Sequence, residues 1–72
     1  MKLTFEHIRM IRAFTQPGVP ESGPTLRDRA QIGDWNKSAH KGYATTRILN
    51  DLIEWGIVIA DRSGKTHYYT LL

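Results

Sequence analysis

Three side chains at close spacing carry the most specific chemistry in this sequence. Thr46, Arg47 and Asn50 fall on one face when placed at ~100° per residue, near the start of a helical pattern. An arginine can donate both arms of its fork to a guanine edge, an asparagine amide can pair with adenine, and a hydroxyl can bond either. Just upstream, the stretch 35–50 holds Lys37, His40, Lys41 and Arg47 and no acidic residue. The acids return at Asp51 and Glu54, at the far end of the pattern. Positive charge therefore collects where a phosphate backbone would pass. Arg62 and Lys65 flank Gly64 further along. The candidate contacts to double-stranded DNA are Lys37, Ser38, Lys41, Tyr43, Thr46, Arg47, Asn50, Arg62 and Lys65. Each also has an ordinary reading as a solvated polar side chain; their gathering on one surface sets them apart.

The element that must present these groups is a helix over Tyr43 to Trp55. Ala44, Ile48, Leu49, Leu52 and Trp55 cluster on its inner side, and Gly56 stands where a left-handed cap is wanted. Trp55 and Ile48 read as core, and Trp35 as core or as a ring able to stack on a sugar or base. Three readings of the preceding stretch stay open. The helix can start earlier, near Ser38; the turn can carry an insertion; or the previous helix can run through Trp35 to Ala39 and turn at His40-Lys41-Gly42.

Three further elements surround it. Leu3 to Phe14 carries Phe5, Ile8, Ile11 and Phe14 at three-residue steps, one apolar stripe of a first helix that Thr4 can cap. Thr15 to Pro24 holds all three prolines and reads as a loop. Thr25-Leu26-Arg27-Asp28 fits a capping box that opens a short helix over Leu26 to Ile32, with Gly33 as its stop. The C-terminus reads as a β-hairpin, Ile57 to Asp61 and Thr66 to Leu71, turning through Ser63-Gly64-Lys65. Strand alternation puts Tyr69 and Leu71 inside and Thr66, Tyr68 and Thr70 outside.

The run from Thr46 to Val58, followed by Arg62-Ser63-Gly64-Lys65 and Tyr69-Thr70-Leu71, resembles the winged helix-turn-helix superfamily. There a recognition helix ends in a leucine-spaced turn and a glycine, and a basic hairpin wing follows. The resemblance covers most of the chain and is strongest over 44–71. It implies an α+β fold of three helices with a C-terminal β-hairpin wing, one domain over 1–72. It also implies sequence-specific binding of double-stranded DNA, with the third helix in the major groove and the wing on the backbone. Two features depart from the pattern: the stretch from Gly33 to Gly42 is long for a helix-turn-helix connection, and a proline-rich loop precedes the second helix. A small transcriptional regulator or an accessory factor of a mobile element fits this reading. The alternative is a winged helix that contacts protein, as a homodimer or with another partner, and binds no DNA.

Composition narrows the rest. A chain of 72 residues makes one domain with a thin core. It has no cysteine, which removes disulfides and thiolate metal sites. His7, His40 and His67 lie too far apart for a zinc motif and read as structural or solvated. Ten Lys and Arg against seven Asp and Glu leave a net charge of +3, which favours a polyanionic partner. No apolar run reaches the ~20 residues of a membrane span, and the first residues are too polar for an export signal, so a cytoplasmic location is expected. Phosphate-loop glycines, a nucleophile elbow and paired carboxylates are all missing from the sequence; a binding protein without a cofactor is expected rather than an enzyme.

Overall fold

The computed structural model describes residues 2–32 and 38–72, the side chains of 38–43 excepted. The first helix, α1, spans Phe5–Ala13 with Thr4 at its N-cap. His7 takes the place that glutamate holds in a common capping box: its Nδ1 accepts from the Thr4 N–H at 2.9 Å and meets the Thr4 hydroxyl at 2.7 Å. The buried face is His7, Met10 and Ala13, continued by Phe14. The stripe expected from the sequence does not form that face, because Phe5 is 77% and Ile8 42% exposed. A three-residue step falls about 60° short of a full turn, so three steps carry Phe5 to the side opposite Phe14.

The proline-rich stretch is a loop only in part. Its end forms a short strand, β1 (Glu21–Ser22), and the start of α2 (Gly23–Ala30). Ser22, not Thr25, is the N-cap; its Oγ accepts from the Thr25 N–H at 3.3 Å and lies 2.8 Å from the Thr25 hydroxyl. Pro24 stands in the first turn, where its missing N–H costs nothing. What reads as a helix breaker is thus a helix starter. Gln31, in the left-handed region at φ 48°, ends α2; the expected stop at Gly33 lies outside the described residues, and Ile32 is buried beyond the helix.

Helix α3 spans Ser38–Glu54. Of the three readings of the connection, the early start near Ser38 is the one the chain adopts. Ile48, Leu49 and Leu52 are buried on its inner face, with Thr45 beside them. Gly56 closes the helix as expected: its φ is +74°, its N–H reaches the Ile53 carbonyl at 3.1 Å, and the Ile57 N–H reaches the Leu52 carbonyl at 2.9 Å. These two bonds make a Schellman motif. Trp55 packs against the core without being sealed in it; its ring lies 4.7 Å from that of His7.

The hairpin consists of β2 (Val58–Asp61) and β3 (Tyr68–Leu71). With β1 they form a three-stranded antiparallel sheet in the order β1-β3-β2. Glu21 pairs with Tyr69 and Ala60 pairs with Tyr69 from the other side, so β3 is the central strand. Its alternation follows the expectation: Tyr69 is buried and Leu71 packs on the core, while Thr66 and Tyr68 are exposed and Thr70 is half-buried. The same alternation resolves β2, with Val58 inside and Ile59 outside.

The three helices pack on one another and α3 rests on β2. Met10, Leu26, Ile32, Ile48, Leu49 and Leu52 are the sealed centre, each worth roughly 1.5–3 kcal/mol of burial. Three helices with a hairpin after the third, and a short strand between the first two, resemble a winged helix. No helix among the described residues is long and apolar enough to cross a membrane.

Candidate nucleic-acid interface

Because Ile48, Leu49 and Leu52 turn inward, the helical period turns Thr46, Arg47 and Asn50 outward, and all three are exposed. The sequence-derived face of α3 is therefore the solvent face. Ser38, Lys41 and Tyr43 belong to the first turns of the same helix, with side chains outside the described residues; Lys37 and Trp35 lie outside them altogether.

Asn50 and Arg47 each meet a neighbouring element. Arg62 Nη2 donates to Asn50 Oδ1 at 2.8 Å, and its guanidinium lies 5.7 Å from the centre of the Tyr69 ring. This brings two expected contact residues together as a bridge from the hairpin to α3. Arg47 Nη2 stands 3.7 Å from Glu6 Oε1 of α1; Arg47 is exposed and Glu6 half-buried, and such a surface pair is worth about 0–1 kcal/mol. The Asn50 amide is thus oriented, with one lone pair of its oxygen still open, whereas the Arg47 fork is held only loosely.

Lys65 borders a cleft of about 300 Å³ between the start of α2, the middle of α3 and the hairpin tip. Gly23, Pro24 and Arg27 line it from α2, Thr45, Thr46 and Leu49 from α3, and Thr66 and His67 from the hairpin. Arg27 and Lys65 supply its charge, and among the described residues none that lines it is acidic. Arg27 Nε is buried with no hydrogen-bond acceptor among the described residues, since the Asp28 carboxylate at 3.6 Å is beyond bonding distance. Gly23 lets the α2 backbone lie on Tyr69, whose Cε2 would be 3.4 Å from an added Cβ. An anion entering this cleft meets Arg27 on one side and Lys65 on the other, with Asp28 as its competitor for Arg27.

Sequence reasoning missed Arg27 and His67. Arg27 reads as part of a capping pattern when Thr25 is taken as the cap. The available signal was Pro24, which prefers the first helical turn and moves the start of α2 back to Ser22. His67 follows the expected turn and is exposed; only the folded hairpin brings it beside α2.

The hairpin tip is shaped by Asp61. Its Oδ1 accepts from the Ser63 N–H at 3.0 Å and the Ser63 hydroxyl at 2.7 Å, an Asx turn. Those bonds favour the ionised form, the hydroxyl most, and hold the carboxyl below its ordinary 3.8. Among the described residues no group of three His, Asp or Glu side chains could hold a metal ion.

No protein-family model matches the chain, and neither a curated protein nor a solved structure gives a match.

Proposed function

We propose that this chain binds double-stranded DNA in a sequence-dependent way, as a small transcriptional regulator does. The observation that carries the reading is the meeting of two surfaces. The exposed polar face of α3, with Thr46, Arg47 and Asn50, borders a cleft that Arg27 and Lys65 make positive and that no acidic residue among the described ones lines. A helix with short polar and guanidinium groups outward suits the major groove, and cations beside it suit the flanking phosphates. In this arrangement Arg47 leaves Glu6 to reach a base edge, and Asn50, its amide oriented by Arg62, reads adenine. Lys65 at the wing and Arg27 on α2 contact the backbone.

The test is an NMR titration of the uniformly labelled chain with a random-sequence duplex at low and moderate salt. Binding that moves the amides of α3, the hairpin tip and the start of α2, and weakens steeply with salt, supports the reading. Unchanged spectra at low salt overturn it.

A further inference from the structure

A second surface, sharing no residue with the cleft or with α3, has a different chemistry. Between α1 and α2 runs a groove of about 400 Å³, lined by Arg9, Arg12, Ala13, Thr15, Arg29 and Ala30. Its floor is apolar: Ala13 and Ala30 are buried. Its rim is cationic. Arg29 is set in place by the Ala13 carbonyl at 3.1 Å and by an ion pair with Glu21. Arg9 and Arg12 have no ion pair or hydrogen bond among the described residues. Along the same outer face of α1, Phe5 and Ile8 stand in solvent at 77% and 42% exposure; four-residue spacing puts Phe5 beside Arg9 and Ile8 beside Arg12.

We infer that this face of α1, with its seam against α2, docks an acidic segment of another protein whose apolar side chains cover Phe5 and Ile8 while its carboxylates pair with Arg9 and Arg12. Charge complementarity selects the occupant. A phosphate backbone would satisfy the arginines but leave an exposed phenylalanine uncovered, and covering such a patch is what makes it an interaction site. A second copy of this chain would meet the face through a two-fold interface, which sets Arg9 and Arg12 against their own copies. An acidic, apolar segment meets both requirements at once. Arginine favours carboxylate here because its fork can bond bidentately.

The experiment is selection from a displayed library of random peptides on the whole chain, followed by NMR mapping of the enriched peptides. The expected peptides place Asp or Glu next to Leu, Phe or Trp. They should move the amides of α1 and of Arg29 and Ala30, and bind at least tenfold more weakly to R9E/R12E. The F5S/I8S variant should weaken them as well, with a spectrum that shows the fold retained, since both residues lie outside the core. The inference is overturned if no peptide is enriched, if those enriched lack acids, or if R9E/R12E binds them unchanged. It is also overturned if a random-sequence duplex moves these α1 amides, or if sedimentation shows a dimer that F5S/I8S dissolves. The duplex titration of α3 reports separately on DNA binding, so either reading can fail without the other.

Discussion

Arg62 reaches from the hairpin to the outer face of α3 and donates to Asn50 Oδ1 across 2.8 Å. An exposed bond of this kind adds little to stability, but it orients the Asn50 amide and takes one of the two lone pairs of its oxygen, leaving the other for a donor such as adenine N6. The two residues are therefore expected to be coupled. Asn50→Ala should relax preference at one base pair by about 1–3 kcal/mol, and Arg62→Ala should relax preference at the same base pair, since it frees the Asn50 amide to turn. The double variant should depart from additivity, because removing Arg62 also releases Asn50. Competition binding against a selected site and its single-base variants measures all three. Strict additivity would show that Arg62 does not act through Asn50.

His7 joins α1 to α3 in a way the sequence does not announce. Its Nδ1 accepts from the Thr4 N–H, which leaves the proton on Nε2, where it is donated to Asp51 Oδ2 at 2.9 Å. The ring is buried and lies against Trp55. His7→Ala removes the ring contact and leaves the Thr4 amide and the Asp51 carboxylate without their partner. The expected loss is about 1–3 kcal/mol, a large share of the stability of so small a domain. Urea unfolding followed by tryptophan fluorescence measures it, and an unchanged midpoint would show that the imidazole bears no load.

The Asp61 turn gives the hairpin tip a pH dependence of known sign. Its folded carboxyl sits below 3.8 because the Ser63 hydroxyl and amide favour the anion. The turn is therefore fully held above the ordinary carboxylate value and is released as pH falls through the lower, folded one. The Ser63 amide resonance should move toward random-coil shift on acidification, with a midpoint below that of an unstructured aspartate. Asp61→Ala should abolish the dependence at that amide. A midpoint at or above 3.8 would contradict the geometry.

How much of this was legible in the sequence depends on whether local or tertiary forces decided each element. The solvent face of α3 and the inward turn of Tyr69 were legible, because helix and strand periods act within one segment. Gly56 was legible because a left-handed cap favours glycine for its own backbone reasons. The α1 face was misread, since a three-residue repeat drifts around the helix and the docking of α2 and α3 chose His7, Met10 and Ala13 instead. The strand β1 was not legible: two residues hold no period, and Glu21 and Ser22 are extended because Tyr69 and Tyr68 pair with them. The cleft depends on that pairing, which brings Gly23 and Arg27 beside the hairpin, and no local pattern encodes the encounter.

That cleft yields the sharpest separation between holding DNA and reading it. Arg27 and Lys65 line it from two different elements, with Thr46 of α3 between them. If the phosphate backbone passes there, Arg27→Gln and Lys65→Gln should each weaken binding to every duplex and lower the salt slope by about one. Arg47→Ala should behave differently. Its fork faces solvent beside Glu6, so its loss should fall mainly on one base pair, by about 1–3 kcal/mol, and spare random-sequence binding. Glu6→Gln serves as the control: it frees Arg47 without changing any proposed DNA contact, and should raise affinity slightly at low salt. Fluorescence anisotropy over a salt series, with one selected and one random duplex, reads every variant. Equal losses on both duplexes for Arg47→Ala would make Arg47 a backbone contact, and an unchanged slope for both Arg27→Gln and Lys65→Gln would remove the cleft from the interface.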